Sequence, residues 1–307
     1  IDSHGCAPLP WFFRTRKICR CHGTPRGALF FQMEFQLVHA VTARNVYKQF
    51  GKMDCSLQGQ ITKTFGGTEP VVVAVDHVSF EVEQGEIFGV LGSRGSGKST
   101  LISLIATSLL PDKGDIQVFG CDVVKQPFEV QKMLNRVPVE ARFFRKLSPM
   151  ENLLYGAQFS GMRGRETRPR IEEILLGLGL EKHAIYSPMD EKSRGMQQKV
   201  AIARAMLTYP RLLLMDEPTA GLDPCSKKEV QAVIAGVNHV SGTTILLTTG
   251  DTVEADSICD RIAIIDGGRI VALDTPEGLK GMISPNGHQP TLEDVFREAT
   301  GKHLLKA

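Results

Sequence analysis

The sequence predicts an α/β domain with a largely parallel sheet and an inserted helical subdomain. Three observations carry that prediction. Apolar, strand-length runs alternate with helical patterns from Val41 onward. A glycine-rich turn, Gly92-Ser-Arg-Gly-Ser-Gly-Lys98, joins one of these strands to a helix. Between Lys146 and Arg204 the strand signals stop and the pattern turns helical.

Taken in order, Glu86 to Leu91 is an apolar strand, and Leu101 to Ala106 opens a helix after the glycine-rich turn. Helical patterns over Met150–Phe159, Glu166–Leu178 and Gly195–Leu207 make up the insert, bounded at about 146–204. Arg211 to Met215 and Thr243 to Leu247 read as buried strands. The strand ending at Thr249 meets Gly250 and then an acidic helix start. Arg261 to Asp274 is an apolar hairpin centred on Gly267-Gly268, and Thr275-Pro276-Glu277 starts a helix with Pro at its first position. After a loop from Ser284 to Pro290, Thr291 begins a last helix, with Asp294 spaced for a capping box. The segment Asn45 to Gly51 is echoed at Gln60 to Gly66. The expected organisation is an unassigned, disordered extension over 1–38, one domain over 39–283, and a C-terminal loop and helix over 284–307.

A chain of 307 residues with 42% hydrophobic and 23% charged residues has an ordinary globular composition. Its apolar runs are strand-length, so the sequence predicts no membrane-spanning helix. Five of the 36 basic residues and one of the 34 acids lie in Ile1 to Gln32, which leaves the body of the chain slightly acidic. That balance argues against nucleic acid as a partner. Seven scattered cysteines suggest reduced thiols and a cytosolic setting. Cys19, Cys21 and His22 are too crowded, and lack a fourth ligand, for a metal site.

Gly92 to Ser99 fits G-x-x-x-x-G-K-[ST], with a strand before it and a helix after it. Gly92, Gly95 and Gly97 let the backbone curl so that N–H groups point at phosphate oxygens. Gly92, Ser93, Arg94, Gly95, Ser96, Gly97, Lys98, Ser99 and Thr100 are the expected ATP phosphate-binding residues. Lys98 supplies charge to the β and γ phosphates, and Ser99 a hydroxyl to Mg²⁺. A second motif is the apolar strand Leu212 to Met215 ending in Asp216 and Glu217. Paired acids at the end of a buried strand are costly unless compensated. Asp216 is the expected second Mg²⁺ ligand, through water, and Glu217 the catalytic residue that polarises the attacking water.

These residues resemble the ATP-binding cassette ATPases. Asp216-Glu-Pro-Thr-Ala-Gly-Leu-Asp-Pro224 matches the family's D-loop around Asp223, and Lys192-Ser-Arg-Gly-Met196 sits where its signature belongs. The match runs from about Val41 to about Leu279. The resemblance implies a P-loop NTPase with a RecA-like core, an antiparallel β lead-in and the helical subdomain. It implies two cassettes closing head to tail over two ATP molecules, with Ser193, Arg194, Gly195 and Met196 facing the ATP on the other cassette. An aromatic would stack on adenine; Phe65 and Phe50 are both candidates, and Phe65 fits the spacing to Ala74 better. The short single cassette, the signature and the tail Pro290 to Arg297 are similar to ATP-binding subunits of exporters of the daunorubicin-resistance type. Such a subunit works with a separate membrane permease and a second cassette at the cytoplasmic face of the membrane.

Three positions depart from the family pattern. Arg194 stands where a glycine is usual, before Gly195. Val139 stands at the Q-loop glutamine position and offers Mg²⁺ no oxygen, with Glu140 one residue on. Gly250 occupies the place of the switch histidine. Loss of a preorganised donor at that point implies a turnover lowered on the order of 10²-fold to 10³-fold. The expectation is therefore an ATPase subunit that drives export. Its alternative is a regulatory or degenerate cassette that binds ATP and hydrolyses it poorly.

Overall fold

The computed structural model describes residues 39–51, 71–162, 164–283 and 290–301. The N-terminal extension over 1–38, the Cys19, Cys21 and His22 group, the echo at 60–66 and Phe65 all lie outside the described residues. Among the described residues, no helix is long and apolar enough to cross a membrane.

Strands β1 (Val41–Phe50) and β2 (Val72–Val82) pair antiparallel, with Phe50 opposite Val72 at the open end of the pair. With β4 (Lys113–Val118) and β5 (Cys121–Asp122) they form a sheet in the order β2-β1-β4-β5. This is the antiparallel lead-in that the resemblance implies. The second sheet holds β3 (Ile87–Leu91), β6 (Leu134–Val137), β7 (Leu212–Asp216), β8 (Thr244–Thr249), β9 (Arg261–Asp266) and β10 (Arg269–Asp274). Their spatial order is β10-β9-β3-β8-β7-β6, parallel throughout except for β10. The β9–β10 turn places Gly267 and Gly268 at φ 53° and 81°, the doubly left-handed turn that suits the twist of a two-residue hairpin.

The parallel strands are apolar on both faces because both faces are covered. Phe88 and Val90 of β3, Leu212 and Leu214 of β7, and Leu246 of β8 pack against helix α1 (Lys98–Ile105) and the antiparallel sheet. Ile87, Leu91, Leu213, Met215, Ile245 and Leu247 point the other way, into a core shared with the helical subdomain. Single-residue alternation along each strand thus feeds two separate cores.

Beyond α2 (Pro127–Met133), the subdomain comprises α3 (Pro149–Phe159), α4 (Thr167–Gly177), the short α5 (Lys182–Tyr186), a 3-10 turn at Met189–Glu191, and α6 (Arg194–Met206). Its buried stripes follow helical spacing: Met150, Leu153 and Ala157 on α3, Ile171 and Leu175 on α4. Ser148 and Glu151 close a capping box at the start of α3. Asn152 holds the preceding loop by accepting from Phe144 N at 2.9 Å and donating to Phe144 O at 3.1 Å. Helices α7 (Pro224–Ser241) and α8 (Thr252–Ile258) flank the core sheet. Helix α9 (Pro276–Gly281) and α10 (Leu292–Thr300) close the chain, and α10 is docked on the core through buried Leu292, Val295 and Phe296. The expected Thr291–Asp294 capping box is present. Helix α1 starts at Lys98, three residues before the expected Leu101, because the glycine turn itself delivers the first helical residue.

Candidate active site

Strand β3 ends at Leu91, and the turn from Gly92 to Gly97 passes into α1. Each glycine answers a different constraint. A Cβ on Gly92 would stand 2.5 Å from Ile265 O and 2.6 Å from Ser96 Oγ. At Gly97, where φ is 104°, it would stand 2.1 Å from Ala74 O. Gly95, at φ 78°, faces open space, so the backbone conformation alone demands glycine there. The curl is held by Gly92 N donating to Thr249 O at 3.2 Å and Gly268 N donating to Ser96 O at 3.0 Å. Lys98 is 4% exposed, and its ammonium donates to Gly92 O at 2.8 Å and Ser93 O at 3.0 Å. The Ser96 hydroxyl is buried with no hydrogen-bond partner among the described residues. An orphaned buried hydroxyl in a glycine turn at a helix start fits a phosphate.

The two acids at the end of β7 make different contacts. Asp216 is 3% exposed; its Oδ1 accepts from Ser99 Oγ at 3.0 Å and Thr248 Oγ1 at 2.8 Å. Its Oδ2 accepts from Arg136 at 2.9 Å. Glu217 follows with φ 45°, a left-handed backbone that is unusual for a residue with a side chain. Its N–H donates to Thr248 O at 3.0 Å, and its carboxylate lies 3.3 Å from Lys98 Nζ. The left-handed turn gives the consecutive carboxylates different surroundings, Asp216 facing Ser99, Thr248 and Arg136 and Glu217 facing Lys98. Ser99 Oγ and Asp216 Oδ1 are a pair of hard oxygen donors that suits Mg²⁺.

Gly250 follows interior strand β8, and the nearest atom to a Cβ added there is Gly92 O at 3.6 Å, an ordinary contact. Asp251 is committed elsewhere: it caps α8 by accepting from Val253 N and Glu254 N, and it pairs with Lys227 at 3.0 Å. Burial pushes the Asp251 carboxyl up, but Lys227 and the two N–H groups outweigh it and hold the carboxyl below its ordinary range. Glu254, 1% exposed, accepts from Thr249 Oγ1 at 2.6 Å and Thr219 Oγ1 at 2.8 Å, and burial pushes its carboxyl up. This network fastens the end of β8 to the loop after Glu217.

A cavity of about 910 Å³ opens between the core and the helical subdomain, lined by Arg94, Val139, Glu140, Arg194, Gln197 and Glu217 among others. Val139 is exposed in it and presents only an alkyl group. Ser193 is the N-cap of α6 and accepts from Met196 N at 3.2 Å. A Cβ on Gly195 would lie 2.8 Å from Ser226 Cβ, so glycine there lets α6 approach α7. Arg194 reaches toward Gly221 O at 3.5 Å. Asp223 caps α7, accepting from Cys225 N and Ser226 N at 3.0 Å each. Phe50 ends β1 half-exposed, with Lys48 Nζ 5.7 Å from its ring centre.

The ABC transporter family profile matches residues 75–220, which spans the cradle, the signature region and the two acids. The daunorubicin/doxorubicin resistance ATP-binding protein DrrA of Streptomyces peucetius is 36% identical over 247 residues, covering 80% of this chain and 73% of that one. This chain belongs to the ABC transporter ATP-binding family. Against YbhF of Escherichia coli K12, to which the cassette is 34% identical, the match covers 77% of this chain and 40% of that protein's length. Among solved structures, the dimeric ATP-binding cassette MJ0796 bound to ADP and Pi is similar, with a TM-score of 0.64 and 25% identity over 76% of this chain and 98% of that one. As a member of the family, the cassette is an ATP-binding ATPase subunit of a transporter.

The structure brings Gly92 to Ser99 together with Asp216 and Glu217 in one site. It adds residues that the motifs do not name. Thr248, Thr249 and Glu254 are ordinary strand and helix positions in the sequence, and Thr219 lies in the turn after β7, inside the D-loop motif, where the motif gives it no role of its own. Arg136 carries one signal, a guanidinium in the middle of the short strand Leu134-Asn-Arg-Val137.

Proposed function

We propose that the cassette powers export of a drug-like or lipid-like molecule through a separate membrane permease, as one of a pair of cassettes at the cytoplasmic face of a membrane. The likeness to DrrA, whose name states daunorubicin and doxorubicin resistance, supports the export class. The dimeric relative MJ0796 supports pairing. A ladder of exposed aromatics on the helical subdomain supports docking on another protein. Phe144 and Tyr155 meet edge to face at 5.1 Å and Tyr155 and Phe159 at 4.9 Å, while Phe159 is 78% exposed.

The observation that carries the catalytic reading is the convergence of Lys98, Ser99, Asp216 and Glu217 at the end of β7 and the start of α1. The cradle amides and Lys98 bind the phosphates. Mg²⁺, held by Ser99 and by Asp216 through water, would offset phosphate charge. Glu217 accepts the proton of the attacking water, aimed by its left-handed backbone. Ser193 and the Gly195 N–H of one cassette meet the γ-phosphate bound by the other, as the positive end of a helix start favours. Phe65 and Phe50 are the two adenine-stacking candidates, and Phe50 ends β1 with a half-exposed ring.

The test compares steady-state ATP hydrolysis by the purified chain with Glu217→Gln as the blank. Turnover above the blank, abolished together with ATP binding in Lys98→Ala, is the expected result. Turnover equal to the blank would reduce the chain to a nucleotide-binding module, and unchanged ATP affinity in Lys98→Ala would overturn the cradle assignment.

A further inference from the structure

Arg136 sits on β6, paired in register with Leu214 of β7, and its side chain crosses to the buried end of that strand. One terminal nitrogen donates to Asp216 Oδ2 at 2.9 Å, and the other donates to Ser103 Oγ at 3.3 Å. The Ser103 hydroxyl in turn donates to Ser99 O at 2.7 Å. Arg136 Nε is buried with no partner among the described residues, so the guanidinium is held by these contacts alone. Both oxygens of Asp216 are therefore engaged, Oδ1 by Ser99 and Thr248 and Oδ2 by a full positive charge. Three residues along the chain from Arg136, Val139 turns an alkyl group to the cleft and offers a cation no oxygen.

A buried carboxylate needs a counter-charge, and breaking such a pair leaves the remaining charge uncompensated. In a site that takes ATP with Mg²⁺, that counter-charge ordinarily arrives with the metal. We propose that Arg136 is a resident counter-cation of the metal-holding carboxylate, which weakens the cassette's hold on Mg²⁺ and lets ATP bind without it. The reasoning rests on the active-site reading above. A guanidinium on Oδ2 repels a divalent cation at the same carboxylate and must be displaced or shared with it. With no metal, the same guanidinium offsets the charge that Asp216 would otherwise set against the phosphates. Arg136 acts as a positioning residue through Asp216.

The experiment measures ATP binding calorimetrically to the full chain, in EDTA and across a Mg²⁺ titration, for wild type, Arg136→Met and Arg136→Lys. Wild type is expected to lose less than about threefold in ATP affinity when Mg²⁺ is removed. Arg136→Met is expected to lose about tenfold in EDTA and to need about tenfold less Mg²⁺ for half of its full effect. Arg136→Lys should follow wild type. An identical Mg²⁺ requirement in wild type and Arg136→Met overturns the proposal. If Arg136→Met does not fold, wild type decides alone: ATP binding that vanishes in EDTA overturns the proposal and leaves the active-site reading standing. No ATP binding under either condition overturns both.

Discussion

Gly250 lies at the end of β8 with open room around it, since a Cβ there meets only Gly92 O at 3.6 Å. A Cβ at that position makes only an ordinary contact, so the backbone accepts a side chain there, and Gly250→His is expected to raise kcat on the order of 10²-fold if it restores a donor to the transferring phosphoryl group. ATP affinity should change little. Turnover unchanged beside a normal melting curve would show that the position does not limit the reaction. Asp251 cannot serve in its place, because capping α8 and pairing with Lys227 occupy its carboxylate. At this scale the cradle and the two acids were legible because their spacing is their mechanism. Arg136 and Glu254 were not, because their partners lie 80 and 35 residues away in sequence, at Asp216 and Thr219.

Helices α6 and α7 meet where a Cβ on Gly195 would strike Ser226 at 2.8 Å. Gly195→Ala is therefore expected to destabilise the fold by about 1–3 kcal/mol, as overpacking does, in chemical denaturation. Adding Ser226→Gly should recover most of that loss; no recovery would place the strain elsewhere. Ser148→Ala removes the cap of α3 and is expected to cost about 1 kcal/mol. Helices with strong stripes or caps, such as α3 and α10, could be read directly from the sequence. Helix α7 could not, because only Val230, Ile234 and Val237 are buried along its 18 residues. The two-residue β5 and the four-residue β6 carry too little pattern to stand out, and pairing with a neighbour defines them.

Across the whole molecule, two buried or half-buried acids beside Gly250 give opposite pH dependences. Glu254, pushed up by burial, binds its proton more tightly in the folded chain. Its contribution favours folding at acid pH and is lost as pH rises from the ordinary 4.5 through the raised value. Asp251 is held low and contributes above its ordinary 3.8, fading as pH falls through its lowered value. Glu254→Gln is expected to flatten the loss of stability toward neutral pH in a series of melting curves, and a profile as steep as wild type would refute this. The aromatic ladder predicts that Tyr155→Ala with Phe159→Ser keeps ATP binding and lowers recovery with membranes containing the partner permease. The overall architecture was legible because one strand–turn–helix motif fixes the topology around it. The cavity between the lobes was not, since its walls come from distant segments. The buried Lys98 has a last consequence. Its ammonium already bridges Gly92 and Ser93 carbonyls and faces Glu217, so the loop is tied together before any ligand arrives. Little conformational entropy is then left to lose on association, and ATP should meet a preorganised receptor with fast capture and a small ordering penalty.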